Sequence, residues 1–306
     1  MSIAEKITRL NTAKNDIATA ITNKGVIVAE TDGLESFAEK INGIPTGGAP
    51  EWTCNKWATY PIIANDKIYD PVLIVLNGEF HLLSGQYHYK LSNQNWISVS
   101  NIPSYGGGRC STILYNNEIH VLYGTSHHKW NGSSWVSVST LPYDTLYTGV
   151  VVYNNEIHIM GGANSNTGIY HYKWNGTSWI KDTNLPYSYE HFNPVVYNNE
   201  IHLISGDTRY QYTSHYKWEG TSWTRLSDLP NKAGSGTWFV VNGNKIHALN
   251  SYGYMVYDGT WKTYVNNVKM AAFPLLYITI HDGYFISVTY SNGDGLFIQT
   301  HEVEVK

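Results

Sequence analysis

The stretch VVYNNEIHLISG, residues 195–206, places a glutamate and a histidine two positions apart within an apolar run. The residues on either side of Asn198-Asn199 are mostly Val, Ile, Leu and Tyr, and the two asparagines supply the positive φ of a tight turn. The stretch therefore predicts a β-hairpin. Because side chains alternate along a strand, Glu200 and His202 lie on one face, where they are either an acid beside a metal ligand or part of the scaffold.

The hairpin recurs along the chain. The histidine of each copy is followed by the next after 39, 38, 44 and 45 residues. The copies are Asn77-Gly78-Glu79-Phe80-His81, Asn116-Asn117-Glu118-Ile119-His120, Asn154-Asn155-Glu156-Ile157-His158, Asn198-Asn199-Glu200-Ile201-His202, and the looser Asn242-Gly243-Asn244-Lys245-Ile246-His247 and Asp282-Gly283-Tyr284-Phe285-Ile286. A period of about forty residues is typical of a propeller blade.

A second hairpin follows each copy, seen best in Tyr172-Lys173-Trp174-Asn175-Gly176-Thr177-Ser178-Trp179. Two hairpins per period predict four-stranded antiparallel blades, and six periods predict an all-β, six-bladed β-propeller over residues 51–306. Trp52 and Trp57 have the five-residue spacing of the later Trp pairs. We therefore expect a strand near residues 53–60 to complete the last blade and hide its edge.

The repeats resemble the kelch family of propellers. Gly161-Gly162 followed by Trp174 and Trp179 is the best match to the kelch pattern of two glycines and two spaced aromatic residues. Other copies depart from it, with Ser84-Gly85, Tyr123-Gly124 and Ser205-Gly206 in place of two glycines. The resemblance implies the fold and a binding role, and no single activity.

Residues 1–45 contain none of the chain's 11 Trp and 25 Tyr residues and favour helices. Apolar residues at helical spacing predict a small α-helical module for attachment or oligomerisation, and residues 46–50 predict a Pro/Gly linker. The narrow apolar stripe indicates association of copies, and a trimer is one option. The residues of the predicted association surface are Ile3, Ile7, Leu10, Ile17, Ile21, Leu34, Phe37 and Ile41.

Two segments of this module, LNTAKNDIATAI (10–21) and GLESFAEKI (33–41), resemble a module near the N-termini of tail-fibre and other virion proteins from bacteriophages of Gram-positive bacteria. The resemblance implies a virion protein that binds other virion proteins through residues 1–45 and holds the propeller outward. Its location would be the phage particle, assembled in the bacterial cytoplasm.

Composition excludes several classes of partner. The net charge of −4 and a total of 20 Lys and Arg give no basis for nucleic-acid binding. No apolar run is long enough to enter a membrane as a helix. Cys54 and Cys110 lack CxxC spacing, so neither a disulfide framework nor a zinc site is expected.

The repeated histidines are predicted to be half-buried scaffold residues that form hydrogen bonds between blades. Packed sheets lie about 10 Å apart, whereas ligands must lie within about 2 Å of a shared zinc ion. A metal shared between blades is therefore excluded, and no cofactor is expected. A second column of scaffold histidines is predicted at His88, His128, His171 and His215.

Catalysis is also disfavoured by the sequence. A sialidase-like site needs three arginines around a carboxylate, but only Arg109, Arg209 and Arg225 lie in the repeats, and Arg225 belongs to an outer strand. A galactose-oxidase-like copper site needs a Cys–Tyr pair and two loop histidines, for which neither cysteine has the spacing. We expect a protein that is not an enzyme.

Function is expected at the rim where the repeats vary in length. There the loops carry Tyr, Asn, Asp and Arg, side chains suited to a host glycan or protein. The candidate binding residues are Tyr105, Arg109, Tyr143, Asp144, Tyr147, Asn164, Asn166, Tyr187, Tyr189, Glu190, His191, Asp207, Arg209 and Tyr210. The sequence thus favours a receptor-binding virion appendage, with a virion structural or decoration protein and a glycan-processing enzyme as alternatives.

Overall fold

The computed structural model is an all-β propeller with four-stranded antiparallel blades. It describes residues 11–15, 17–18, 37, 50–56, 71–93, 95–103, 110–146, 148–162, 168–186, 193–207, 212–230, 237–250, 253–266, 275–281, 284–291 and 295–305. Within these ranges, the side chains of 50–56, 205–207, 212–213, 250, 253, 264–266 and 275–305 are not described.

Five blades are built from strands that follow one another in the chain. Blade 1 comprises β2 (Val72–Leu76), β3 (Glu79–Ser84), β4 (Tyr87–Ser92) and β5 (Asn95–Ser98). Blade 2 comprises β6 (Ser111–Tyr115), β7 (Glu118–Tyr123), β8 (Ser126–Trp130) and β9 (Trp135–Thr140). Blade 3 comprises β10 (Gly149–Tyr153), β11 (Glu156–Met160), β12 (His171–Trp174) and β13 (Trp179–Lys181). Blade 4 comprises β14 (Asn193–Tyr197), β15 (Glu200–Asp207), β16 (Tyr212–Trp218) and β17 (Trp223–Arg225). Blade 5 comprises β18 (Trp238–Asn242), β19 (Lys245–Asn250), β20 (Gly253–Tyr257) and β21 (Trp261–Asn266).

The sequence predicted six blades, whereas the structure shows five blades of consecutive strands. One more four-stranded sheet has the order β1-β24-β23-β22, with β1 (Pro50–Lys56), β22 (Leu275–His281), β23 (Tyr284–Ser291) and β24 (Gly295–Val305). The structure does not describe the side chains of this sheet. The strand expected near residues 53–60 overlaps β1, and residues 57–60 lie outside the described part.

The chain divides into two compact units, Met1–Thr53 with Val303–Lys306 and Cys54–Glu302. In the first unit, helix is described only at residues 11–15, at 17–18 and at Phe37. The expected helical module is thus described over a much shorter stretch than residues 1–45. No helix of the described residues is long and apolar enough to cross a membrane.

The first two strands of each blade are joined by a two-residue turn, as the repeated Asn-Asn predicts. Asn198 and Asn199 have φ of 50° and 59°, and Asn154 and Asn155 have φ of 48° and 59°. Two successive residues with positive φ form the turn that matches the twist of a hairpin. Asparagine tolerates this backbone conformation better than other residues with a side chain, which explains why asparagine recurs at this turn along the chain.

The hydrophobic core lies between neighbouring blades. One cluster joins Tyr115 and Leu122 of blade 2 to Ile157, Ile159 and Trp174 of blade 3, and all five side chains are buried. Each blade contributes apolar side chains from both faces, so a single blade cannot exclude water from its own surfaces. Neighbouring blades among the five described therefore stabilise one another.

The two rims of the blades differ in regularity. On one, called the turn rim, the first and second strands are always joined by two residues, such as 154–155 and 243–244. On the opposite one, called the loop rim, the second and third strands are joined by two residues in blade 1 (85–86) but by ten in blade 3 (161–170). Sequence variation is thus concentrated on the loop rim.

Hydrogen bonds between blades keep the turn rim regular. The Tyr115 hydroxyl donates to the carbonyl of Asn155 in the next blade at 3.0 Å, and the Tyr197 hydroxyl donates to that of Asn244 at 3.3 Å. The backbone turn of one blade is therefore held by a tyrosine of the preceding blade.

Substitution of Asn199 tests the role of positive φ in the turn. We expect Asn199→Val to lower the free energy of unfolding by about 1–2 kcal/mol, because a β-branched residue is strained in the left-handed region. Asn199→Gly should have almost no effect, since glycine adopts this conformation freely. Urea unfolding of both variants checks this, and equal losses for the two would contradict it.

Candidate functional site

His202, the histidine of the opening stretch, is buried at 2% exposure in the centre of blade 4. Its Nδ1 lies 2.8 Å from Nε2 of His215 on the neighbouring strand β16. The two strands pair His202 with Lys217 and Ile204 with His215, so the histidines are diagonal neighbours on one face. The expectation of a half-buried histidine bonded between blades is therefore wrong: the ring is fully buried, and its bond lies within the blade.

The same contact recurs in every blade, between the histidine of the second strand and a residue of the third. We call each of these contacts a histidine pair. The nitrogen distances are 2.8 Å for His81 and His88, 2.8 Å for His120 and His127, and 2.9 Å for His158 and His171. In blade 5 the partner is a tyrosine, with 2.5 Å between His247 Nδ1 and the Tyr254 hydroxyl.

The second histidine column contains His127 and not the expected His128. The pairing of β7 with β8 is regular and puts His127 opposite Leu122, as His215 is opposite Ile204 in blade 4. Neighbouring residues of a strand point to opposite faces. His128 accordingly lies outside the pair and is half-buried.

Each third-strand histidine also lies between two aromatic rings of the next blade. The His127 ring meets Trp174 at 5.3 Å and 88°, and Trp179 at 5.5 Å. The other contacts are His88 with Trp130 and Trp135, His171 with Trp218 and Trp223, and His215 with Tyr257 and Trp261. Edge-on packing of this kind is favourable beyond the area it buries, so the pair joins adjacent blades as well as adjacent strands.

The direction of the hydrogen bonds in blade 4 is fixed by Trp261. Its indole Nε1 only donates, and it lies 3.1 Å from His215 Nδ1. That nitrogen must accept, so the proton of neutral His215 is on Nε2, which donates to His202 Nδ1. The proton of His202 is then on its own Nε2, which lies 3.8 Å from Glu200 Oε2. Ordered donors therefore run from Trp261 of the next blade through His215 to His202, whereas His202 Nε2 has no hydrogen-bond partner among the described residues.

Other blades contain the same partners in modified form. In blade 2 the hydroxyl of Ser139 lies between the two rings, 3.0 Å from Trp179 Nε1 and 3.1 Å from His127 Nδ1. In blade 3, His171 Nδ1 and Trp223 Nε1 are both buried without a hydrogen-bond partner. In each case an indole N–H of the next blade is thus present together with Nδ1 of the third-strand histidine.

Burial keeps these histidines uncharged. It lowers the pKa of His202 to about 4 and that of His215 to about 3, and the His202 ring adds to the shift of His215. Burial likewise lowers the pKa to about 4 for His120, His158 and His247, and to about 3 for His88, His127 and His171. Neutral rings that are hydrogen-bonded to each other are suited to hold strands together. With pKa values this low they are unsuited to acid–base chemistry near neutral pH.

Glu200 belongs to an ion pair, with its Oε1 3.1 Å from Lys217 Nζ. Equivalent pairs join Glu79 to Lys90 at 2.6 Å, Glu118 to Lys129 at 2.9 Å and Glu156 to Lys173 at 3.5 Å. These partly exposed pairs stabilise the fold little, but they neutralise the charges of the repeat. Glu200 and His202 are therefore scaffold, and no group of described residues brings together three side chains able to hold a metal ion.

Most of the predicted loop-rim residues lie outside the described part of the chain. These are Tyr105, Arg109, Tyr147, Asn164, Asn166, Tyr187, Tyr189, Glu190, His191, Arg209 and Tyr210, while Asp207 is described only as the last residue of β15. Asp144 is exposed, and its Oδ1 accepts a hydrogen bond from the amide of Leu146 at 3.1 Å.

Tyr143 corrects the prediction of a ligand-binding residue, because only 7% of it is exposed. Its ring packs against Tyr170 at 5.3 Å and Tyr172 at 5.6 Å, two partly exposed residues that the sequence did not indicate. Burial raises the pKa of its hydroxyl well above the usual value. The two tyrosines could have been found by aligning the third strands. Tyr170 and Tyr172 flank His171 as Tyr87 and Tyr89 flank His88.

The predicted association surface is described at two residues. Ile17 is 41% exposed, whereas Phe37 is 3% exposed and therefore does not present an apolar surface. The remaining members, Ile3, Ile7, Leu10, Ile21, Leu34 and Ile41, lie outside the described residues.

Comparison with known proteins shows the fold alone. No protein-family model matches the chain, and no curated protein matches its sequence. Among solved structures, that of YjhT superposes with a TM-score of 0.63 at 12% sequence identity, and the match covers 78% of this chain and 98% of that chain. At this identity the likeness supports a propeller and nothing about ligands.

The lowered pKa values predict a steep loss of stability in acid. Histidine in the unfolded chain titrates near 6.5, so below that pH the unfolded chain binds protons that the buried rings do not. Each buried ring therefore lowers the free energy of unfolding by about 1.4 kcal/mol per pH unit as the pH falls below about 6.5. The contribution is lost over the window from 6.5 down to the folded values of about 4 and 3. Urea unfolding between pH 7 and pH 5 measures the slope.

The chain provides the control for this experiment, since blade 5 already contains a histidine–tyrosine pair. His88→Tyr copies that pair in blade 1 and removes one titrating ring, so the slope should fall by about 1.4 kcal/mol per pH unit. Stability that does not change between pH 7 and pH 5 would contradict the buried, neutral pairs.

The donor role of Trp261 is tested by Trp261→Phe. Loss of the indole N–H leaves the buried His215 Nδ1 without its donor, which should cost about 1–2 kcal/mol beyond the loss of ring area. Trp223→Phe is the matched control, because Trp223 Nε1 has no hydrogen-bond partner. Thermal unfolding should show the larger loss for Trp261→Phe, and equal losses would refute the role.

Proposed function

We propose that the chain is a bacteriophage virion appendage whose propeller binds a glycan or protein on the host surface without catalysis. The observation that carries the proposal is the contrast between the two rims. The polar residues that recur in the blades are used in histidine pairs and ion pairs, whereas the second-to-third-strand connections on the loop rim range from two residues (85–86) to ten (161–170). Binding residues are commonly on variable loops held by a rigid scaffold.

The virion assignment is supported by the likeness of residues 10–21 and 33–41 to phage attachment modules. A module of this kind would place several propellers on one particle. Weak binding by single propellers would then be multiplied, because the second attachment on the same surface is an intramolecular event. Homo-oligomerisation through the N-terminal residues belongs to the same proposal.

We further infer a ring of six kelch-like blades in which the sheet β1-β24-β23-β22 is the last. The support is that β22 lies beside β18 of blade 5 and also beside β2 of blade 1. Pairing of β1 with β24 joins the beginning and end of the array in one sheet. Closure of this kind would hide the strand edges at the two ends of the array.

Binding of purified protein to cell walls of the host bacterium tests the function. We expect the variant with Tyr187, Tyr189, Arg209 and Tyr210 changed to Ala to lose at least about tenfold in affinity, because these loop-rim residues are proposed to contact the receptor. Glu200→Gln, on the turn rim, should bind like the unchanged protein.

The same measurement separates the alternatives. Undiminished binding by the fourfold variant would reject the loop rim as the binding surface. No binding by the unchanged protein, together with its presence in purified particles, would favour a structural or decoration protein. Release of sugars from the cell wall would show an enzyme.

A further inference from the structure

Three tyrosines and a lysine form a cluster at the loop-rim end of blade 3. Tyr143 lies between blades 2 and 3. Tyr170 directly precedes the third strand β12 and Tyr172 is its second residue, while Lys181 ends the fourth strand β13. Tyr172 pairs with Lys181 across the two strands, and side chains at paired positions share a face. Tyr170 is two residues from Tyr172, so it projects to the same face.

The cluster extends from the core to the solvent. Tyr143 is buried and contacts both other rings, Tyr170 and Tyr172 are partly exposed, and Lys181 is exposed. The Tyr170 and Tyr172 centroids are 6.0 Å apart at 79°. Because the buried Tyr143 ring supports the other two from below, the aromatic surface is fixed before any ligand arrives, which lowers the entropic cost of binding.

Lys181 places a positive charge on this surface. Its Nζ lies 4.9 Å from the centroid of the Tyr170 ring, a cation–π contact. Lysines on the third strands, such as Lys173 and Lys217, have glutamate partners. Lys181 has no carboxylate within 4.0 Å among the described residues, and Asp182 beside it is directed to Lys173 at 3.7 Å.

The equivalent positions of blades 4 and 1 lack this combination. In blade 4, Tyr216 pairs with Arg225, but Asp228 neutralises the arginine at 2.9 Å. In blade 1, Tyr89 pairs with Ser98, so two tyrosines are present without a cation. The chain therefore contains the aromatic pair alone in blade 1 and a neutralised cation in blade 4.

We propose that Tyr170, Tyr172 and Lys181, supported by Tyr143, bind a sugar that carries a phosphate or carboxylate group. The tyrosine rings offer rigid, amphipathic contact area to the apolar face of a sugar. The ammonium of Lys181 supplies the point charge that an anionic substituent requires. This site deepens the proposed function, on which it rests, by assigning an anionic glycan to the loop rim.

Titration of the full-length, isotope-labelled protein with monosaccharides tests the site by NMR. The probes are glucose 1-phosphate, galacturonate and the uncharged methyl glucoside. Both anionic sugars should shift the amide signals of residues 168–172 and 179–182 with dissociation constants on the order of millimolar. The uncharged sugar should bind about tenfold more weakly, and added salt should reduce the difference through screening.

Substitutions within and outside the cluster identify the groups responsible. Lys181→Gln should weaken the anionic sugars about tenfold and leave methyl glucoside unchanged, whereas Tyr170→Ala should weaken all three. The matched controls are Arg225→Gln in blade 4 and Tyr87→Ala in blade 1, and neither should alter the titrations. Signals elsewhere in the spectra show that each variant keeps its fold.

Several outcomes overturn the site. These are the absence of saturable shifts with both anionic sugars, shifts that map to other blades, or unchanged binding by Lys181→Gln. The cell-wall assay keeps this result separate from the proposed function. Retained cell-wall binding by Lys181→Gln with no sugar shifts rejects the site alone, whereas absence of cell-wall binding by the unchanged protein rejects the function itself.

Discussion

The hydrogen bond between two buried, neutral imidazoles is the interaction on which blades 1 to 4 depend, and a histidine–tyrosine bond takes its place in blade 5. It joins the second strand to the third, and the third-strand ring then lies between two aromatic rings of the next blade. A charged imidazole in this position would lose its hydration, and for His202 that cost exceeds the attraction of the nearby Glu200 carboxylate. The pair therefore couples the pairing of strands, the packing of blades and the protonation state in a single place.

This arrangement explains why the same polar residues recur in the repeats. A neutral histidine carries one donor and one acceptor, so a buried pair needs a donor at one end and an acceptor at the other. In blade 4 the donor is Trp261 of the next blade, and at the other end the carboxylate of Glu200 lies 3.8 Å from His202 Nε2, outside hydrogen-bond distance. The glutamate in turn is held by Lys217. Residues that look like an active site in one copy are thus the polar half of a packing unit.

The repeats, the turns and the four-stranded blades were predictable because they depend on local patterns: alternation, paired asparagines and a constant period. The side-chain partners were less so. His128 was predicted in place of His127, although alignment of His127-His128-Lys129-Trp130 with His171-Tyr172-Lys173-Trp174 puts His127 in the column. Tyr143 was predicted to face a ligand, but its burial depends on blade 3, whose third strand is distant in sequence. Lys181 became visible only through its pairing with Tyr172.

The proton positions in blade 4 test the central claim most directly. Long-range ¹H–¹⁵N spectra of the imidazole rings distinguish the two neutral tautomers from the charged form. The account predicts that His202 and His215 are both neutral and protonated on Nε2 at pH 6, below the pKa of about 6.5 of a free histidine. An imidazolium at that pH, or a proton on Nδ1 of His215, would contradict the ordered hydrogen bonds from Trp261 through His215 to His202.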